Sequence, residues 1–155
     1  MIRISKKADY AILLLTHLAR HANRGDDGIP TSAQELSNAI PIGKATIANL
    51  LKVLTRHSVL ESVRGVHGGY RLARPAAKIS LADIIHAVDG PVAIVDCAAY
   101  ENVEDAKCEL SSCCSSHHPL QILQNRLNAL LEGLTLAEFG NSCPVPMLIQ
   151  PPSHS

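Results

Sequence analysis

A short capped helix, a tight turn and a longer amphipathic helix follow one another in this chain. Residues 32–35 read Ser-Ala-Gln-Glu. In this capping-box pattern the serine oxygen and the glutamate carboxylate each accept a backbone N–H of the other residue. Leu36 and Ala39 would form the inward face of the helix. It is expected to end before Pro41, because proline disfavours helical geometry at the preceding residue.

The longer helix is predicted from Lys44 to about His57. Its apolar residues recur at helical spacing in one stripe, formed by Ile47, Leu50, Leu51 and Leu54. Two β-prone runs around residues 65–69, which read Gly-Val-His-Gly-Gly, then predict a hairpin with a glycine-rich tip. This order of elements is typical of a winged helix-turn-helix, whose longer helix enters the DNA major groove.

Polar residues on the outer face of the longer helix and around the hairpin are the candidate DNA contacts. They are Lys44, Thr46 and Asn49 on the helix, and Arg64, His67 and Arg71 on the wing. The helix residues are expected at or near base edges, and the wing residues at the DNA backbone or minor groove. Each residue alone is equally well explained as a solvated surface group, so the prediction depends on the combination.

The formal net charge of zero hides an uneven distribution. Residues 1–75 carry eleven Lys or Arg against five Asp or Glu, whereas residues 76–155 carry three against nine. A locally basic half lets a neutral protein bind a polyanion, and here it coincides with the predicted winged unit. No nucleophile–base constellation or phosphate-binding glycine loop is present, so an enzyme is not expected.

The beginning of the chain and its apolar runs bear on localisation. It starts Met-Ile-Arg-Ile-Ser-Lys-Lys without the features of a signal peptide. No apolar run approaches the roughly 20 residues that cross a bilayer. We therefore expect a cytoplasmic protein with no membrane partner. In that compartment, five cysteines indicate metal ligands or redox thiols rather than a disulfide framework.

Four of the cysteines and two adjacent histidines lie within residues 96–118, which show no periodicity. Cys108, Cys114 and His117 are spaced as ligands of one compact site, and Cys97 can fold back as the fourth. Thiolate and imidazole groups suit zinc or iron in a cluster. Zinc would form a closed structural site, and reversible disulfide formation would need no metal. The spacing favours a metal over plain thiols, and leaves zinc and iron–sulfur open.

Leucines recur every three or four residues after Pro119, at positions 120, 123, 127, 130 and 134. Such a narrow stripe is typical of a helix that pairs with another helix. The residues after Phe139 are rich in Pro and Ser, and we expect them to be flexible.

Several stretches together resemble the family of winged-helix repressors that includes IscR and NsrR. They are residues 9–11 (DYA), 50–54 (LLKVL), 63–75 (VRGVHGGYRLARP), 79–85 (ISLADII) and 134–138 (LTLAE). The resemblance covers residues 1–139. It implies a mostly α-helical protein with a small β wing, a winged helix-turn-helix plus a long C-terminal dimerisation helix. It also implies a homodimer that binds a palindromic double-stranded DNA operator.

An iron–sulfur cluster held by three cysteines and a variable fourth ligand is implied by the same resemblance. The cysteines correspond to Cys97, Cys108 and Cys114. The fourth ligand corresponds to His117 in the manner of IscR, or to Asp9 of the other subunit in the manner of NsrR. Cys113 is an extra thiol beside Cys114 and an alternative ligand. A 2Fe-2S cluster is expected, with 4Fe-4S as the alternative.

The function implied is a repressor that senses iron–sulfur status, redox state or nitric oxide. Residues 90–92 (GPV) leading to residues 96–97 (DC) are most similar to the branch that regulates the SUF iron–sulfur assembly operon. Iron–sulfur assembly genes are therefore the expected targets. A metal-free thiol switch and a zinc-stabilised interaction module are the alternatives.

These expectations divide the chain into five segments. They are the winged helix-turn-helix at 1–75, a short connecting helix at 76–95, the cysteine-rich cluster-binding loop at 96–118, the dimerisation helix and closing turn at 119–139, and a flexible tail at 140–155. Because the loop directly precedes the dimerisation helix, the state of its cluster is expected to shift that helix and the wing between stronger and weaker DNA-binding arrangements.

Overall fold

The computed structural model describes residues 3–22, 29–95 and 114–142. Its elements are α1 (Lys6–Ala22), α2 (Ala33–Ala39), α3 (Lys44–Arg56), β1 (Leu60–Val63), β2 (Gly69–Leu72), a 3₁₀ helix (Ala76–Lys78), α4 (Leu81–Asp89), α5 (His117–Gly133) and α6 (Leu136–Ser142). The strands form one antiparallel hairpin. The predicted fold class, mostly helical with a small β wing, is confirmed. Within these ranges, no helix has the length and apolar character needed to span a membrane.

Two capping boxes define the starts of α2 and α4. The predicted one is confirmed, since Glu35 N–H donates to Ser32 Oγ at 3.2 Å and Ser32 N–H donates to the Glu35 carboxylate at 2.7 Å. Hydrogen bonds from the Ser32 backbone and hydroxyl lower the pKa of Glu35. Ser80 and Asp83 repeat the arrangement at α4, with distances of 3.1 and 2.9 Å. Both helices are therefore started by purely local interactions.

The inward face of α2 differs from the expectation. Leu36 is fully buried, but Ala39 is exposed and Ile40 is buried in its place. Because α2 has only seven residues, its next inward position is Ile40, four residues after Leu36 and just beyond the helix. Ile42 N–H then donates to the Ile40 carbonyl at 2.7 Å, which makes the turn to α3 tight.

The core joins the winged unit to the C-terminal helices. The predicted stripe of α3 is confirmed, since its four residues are at most 1% exposed. Helix α1 contributes six buried residues, namely Ala8, Ala11, Leu14, Leu15, Leu18 and Ala19. It contacts β2 of the wing and also α4 and α6. The two halves of the chain therefore share one core rather than forming separate units.

A backbone clip fixes the residues before α4 to those before α6. Leu81 N–H donates to the Leu134 carbonyl at 2.8 Å, and Leu136 N–H donates to the Ile79 carbonyl at 2.8 Å. Ile79 and Leu136 are fully buried beside it. Breaking these two hydrogen bonds would leave backbone groups beside buried apolar side chains without a partner, which costs free energy.

Helix α6 stands where a closing turn was expected, and it runs past residue 140, at which the flexible tail was expected to begin. The Glu138 carboxylate accepts hydrogen bonds from the Thr135 N–H at 2.7 Å and hydroxyl at 2.9 Å. These bonds lower the pKa of Glu138. Arg20 Nε of α1 donates to the Gly140 carbonyl at 3.2 Å. Side-chain hydrogen bonds therefore stabilise α6 near its beginning and near its end.

The leucine stripe of α5 divides between two environments. Leu127 and Leu134 pack against the core, and Leu131, outside the predicted stripe, is buried. Leu123 and Leu130 are 48% and 60% exposed. One edge of the stripe is therefore used within the chain, and the other edge faces solvent.

The wing has a third backbone segment that the sequence pattern did not reveal. Thr31, just before α2, exchanges two hydrogen bonds with Tyr70 of β2, at 2.9 and 2.8 Å. Gly69 makes this approach possible, because a Cβ there would lie 2.4 Å from the Thr31 carbonyl oxygen. The wing is thereby attached to the residue before α2 as well as to the end of α3.

Gly69→Ala is expected to destabilise the protein by about 2 kcal/mol or more, because the added methyl group forces Thr31 and the wing apart. Urea unfolding followed by circular dichroism measures the loss. Gly133→Ala at the end of α5 is the control, since a Cβ there meets nothing within 4 Å and should leave stability unchanged or higher. Equal midpoints for the two variants would contradict the role of Gly69.

Candidate DNA interface and metal-ligand residues

Helix α3 presents the predicted base-contact residues on its outer side. Lys44 and Asn49 are exposed and Thr46 is half-buried, while the apolar stripe on the opposite side is buried. Lys44 is the first residue of the helix, and the first turn carries no acidic side chain. The positive end of the helix dipole is therefore available to a phosphate or a base edge.

The tip of the wing projects into solvent. Arg64 and His67 are exposed, and the side chain between them in the tip, Val66, is 96% exposed. Gly65 has φ +126°, a left-handed backbone that a side chain would strain. A Cβ on Gly68 would lie 2.5 Å from the Val63 carbonyl oxygen. The glycines therefore permit the turn that places the two candidate DNA contacts, Arg64 and His67, in solvent.

Arg71 differs from the other two wing candidates because it already has an anionic partner. It stands opposite Glu61 in the β1–β2 register, and its guanidinium pairs with the Glu61 carboxylate. Both side chains remain more than 40% exposed. A phosphate at Arg71 would have to share it with Glu61, so Arg64 and His67 are the more direct wing candidates.

Three of the six candidate cluster ligands lie within the described residues. Cys114 is half-buried in the turn before α5, and His117 is the half-buried first residue of that helix. The His117 N–H donates to the Cys114 carbonyl at 3.3 Å, which holds the two residues in one turn. Asp9 is exposed in the first turn of α1.

The remaining ligand candidates, Cys97, Cys108 and Cys113, lie outside the described residues. Among the described residues, no group of three or more His, Cys, Asp or Glu side chains is arranged to hold a metal ion. The structure therefore brings Cys114 and His117 together and leaves the other predicted ligands untested.

Gln124 of α5 is a site residue that the sequence analysis missed. It is only 3% exposed and accepts a hydrogen bond from Ile94 N–H at 2.8 Å. Its Nε2 donates to the Val92 carbonyl at 2.7 Å and to Asn128 Oδ1 at 2.9 Å. The amide thus ties the residues just before the cysteine-rich segment to α5. Two of its partners, Ile94 and Val92, are 30 and 32 residues away in the chain, so no local pattern marks it.

The cysteine-rich segment is therefore attached to α5 at both of its ends. One attachment is Gln124, and the other is the turn from Cys114 into the helix. Gln124 is seven positions after His117, which is about 10 Å along the helix axis. Residues on both sides of the segment thus contact the same helix.

Comparison with known proteins identifies similar chains along almost the whole length. The family model described as "Rrf2: Iron-dependent Transcriptional regulator" matches residues 4–142. The putative HTH-type transcriptional regulator ORF2 of Azotobacter vinelandii is 29% identical, over 94% of this chain and 93% of the relative. The HTH-type transcriptional regulator IscR of Sodalis glossinidius is 30% identical, over 89% of this chain and 78% of the relative.

A solved structure supports the fold independently. CymR (YrzC), the global cysteine regulator of B. subtilis, superposes with a TM-score of 0.69 and 22% identity. The match covers 93% of this chain and all of that one. At this level of identity the similarity concerns the fold, including the arrangement of the winged unit and the C-terminal helices.

Proposed function

This chain belongs to the Rrf2 family of transcriptional regulators, and from this premise we propose that it is a homodimeric repressor of iron–sulfur assembly genes that senses through an iron–sulfur cluster. Family membership makes it a DNA-binding regulator, as expected, and not an enzyme. The observation that carries the finer proposal is the double attachment of the cysteine-rich segment to α5, which shares a core with the winged unit.

DNA binding uses the winged unit. Helix α3 enters the major groove with Lys44, Thr46 and Asn49 at or near base edges. Arg64 and His67 of the wing contact the DNA backbone or the minor groove, and Arg71 of β2, which is paired with Glu61, is the third wing candidate. Because the basic charge is concentrated in this half of the chain, affinity should fall steeply with salt.

The homodimer forms through the exposed edge of α5. Ile122, Leu123 and Leu130 are 42 to 60% exposed on this helix, and Leu13 of α1 is 47% exposed. Large apolar side chains in contact with water are unfavourable, and burying them against a second copy removes that cost. A twofold dimer would also present two recognition helices to a palindromic operator.

The sensor comprises Cys97, Cys108 and Cys114, with His117, Asp9 or Cys113 as the fourth ligand. Thiolates and imidazole are known ligands of iron–sulfur clusters, so the donor set fits this group. When bound, the cluster supplies a centre whose assembly and oxidation respond to iron supply and oxidants. The chain's own part is to hold Cys114 and His117 at the start of α5 and residues 92–94 on Gln124.

Lys44→Ala is expected to lower affinity for the preferred operator about tenfold while changing affinity for random DNA little. Arg64→Ala should weaken binding to both kinds of DNA and reduce the slope of log affinity against log salt by about one. Fluorescence anisotropy at several salt concentrations, with an operator selected from a random pool, makes the comparison.

The control for both variants is Lys78→Ala, which removes an exposed lysine from the 3₁₀ helix outside the interface. It should keep the affinity and salt slope of the unmodified protein to within about twofold. If Lys44→Ala and Arg64→Ala behaved as this control does, the placement of α3 and the wing on DNA would be wrong.

Substituting Cys97, Cys108 or Cys114 by serine is expected to abolish the iron and acid-labile sulfide content of anaerobically purified protein. Cys143→Ser, which removes a thiol outside the proposed ligand set, is the control and should retain both. His117→Ala and Asp9→Ala, compared by visible absorption spectrum, decide the fourth ligand. Colourless protein with stoichiometric zinc would contradict the cluster and indicate a structural zinc site. Protein that stays metal-free after reconstitution would contradict it and indicate a thiol switch.

Leu130→Glu is expected to convert the dimer to a monomer, because a charged group cannot be buried unpaired in the α5 interface. Analytical ultracentrifugation measures the mass, and the matched control is Asn125→Glu at an exposed polar position of the same helix. A dimer that survived Leu130→Glu would place the interface elsewhere.

A further inference from the structure

An open cleft of about 340 Å³ lies between α4 and α5, below the hairpin. Its walls come from the two helices, from the connection between α3 and β1, and from Arg74 just after β2. The volume falls within the range of about 300–1,000 Å³ that is usual for small-molecule sites. Among the described residues, no candidate DNA contact or cluster ligand lines it.

The two sides of the cleft differ in charge. His57 at the end of α3 and His86 of α4 lie edge to face, with ring centroids 6.4 Å apart, and Arg74 is close by. On the α5 side, Asn128 and Glu132 are four residues apart and so share one face of the helix. Hydrogen-bond donors on the α4 side, where Asp83 also lines the cleft, thus face the Glu132 carboxylate on the α5 side.

Arg74 keeps donor capacity although it has a partner. One terminal nitrogen of its guanidinium lies 3.1 Å from the Asp83 carboxylate, and the pair is about 40% exposed. A guanidinium has five N–H groups, so this contact leaves others to donate. Between the polar walls, Pro91 and Val92 supply accessible apolar surface, and Val59 and Leu131 lie behind it with 1% and 8% exposed.

We propose that this cleft binds a small zwitterion of the α-amino acid type. The carboxylate lies at His57, His86 and Arg74, and the ammonium group lies at Glu132 and Asn128. A simple anion would meet the Glu132 carboxylate, and a simple cation would leave the imidazoles and the remaining Arg74 N–H groups without an acceptor. A molecule with both charges satisfies both walls, while its side chain rests on the apolar surface.

Such a ligand would contact both parts of the regulator without covering the DNA surface. His57 follows the last residue of α3, about 20 Å along that helix from Lys44. On the other side, the Val92 carbonyl and Asn128 both accept hydrogen bonds from Gln124. The site therefore lies between the recognition helix and the Gln124 attachment. It goes beyond the proposed cluster sensing because no cysteine stands among its lining residues in the described part of the chain.

The test begins with the full-length protein and each standard L-amino acid at millimolar concentration, with binding read by saturation-transfer NMR and thermal unfolding. The tightest ligand is then compared with its decarboxylated amine and its deaminated acid. The amino acid is expected to bind at least about tenfold more tightly than either analogue, since each analogue loses one charged contact. Absence of binding by every amino acid overturns the proposal, as does equal binding of the deaminated acid.

Two variants test the placement of the charges. Glu132→Gln should weaken amino-acid binding about tenfold without weakening binding of the deaminated acid, and His86→Asn should weaken binding of the deaminated acid. Arg126→Gln, which removes an exposed charge from α5 outside the cleft, is the control and should bind as the unmodified protein does. Unchanged amino-acid affinity in Glu132→Gln overturns the assignment.

Discussion

The burial of α1 is the constraint on which the rest of the structure depends. This helix packs against α4 and α6 as well as the second strand of the wing, and six of its seventeen residues are buried. A chain of this size has room for one core, and α1 places both halves of the sequence in it. The DNA-binding elements and the C-terminal helices thus pack in one hydrophobic core, although the two halves of the chain carry opposite net charges.

Hydrogen bonds between residues that are distant in the sequence also join the two halves of the chain. The clip between residues 79–81 and 134–136 closes the core at one end, and Arg20 reaches the Gly140 carbonyl at another. Gln124 adds a buried polar attachment whose amide oxygen and nitrogen are both satisfied. Removing one partner of such a contact costs more than the bond itself contributes, because the remaining group stays buried without a partner.

Helix α5 is where the proposed activities meet. The cysteine-rich segment is attached to it at both ends, the exposed leucines that we assign to the dimer lie on it, and the charged cleft uses its Glu132. A ligand or cluster changes DNA affinity only through a difference in its own affinity for two arrangements of the protein. An element that contacts both the sensor and the shared core is suited to carry such a difference.

The local sequence was sufficient to predict the elements that are stabilised by residues close together in the chain. The Ser32 capping box, the stripe of α3 and the glycine-tipped hairpin depend on residues within one or two turns, and each was predicted before the structure. The burial of Ile40 in place of Ala39, the pairing of Arg71 with Glu61, the Thr31–Tyr70 bridge and the role of Gln124 were not. These features depend on which distant segments pack together. A single polar group forms no periodic pattern in the sequence, so its partner cannot be predicted from the residues around it. The sequence by itself therefore determined the helices up to α5, the wing and the candidate ligands. Only the tertiary structure decided that residues 136–142 form a helix packed on α1, and which side chains of the chain face one another.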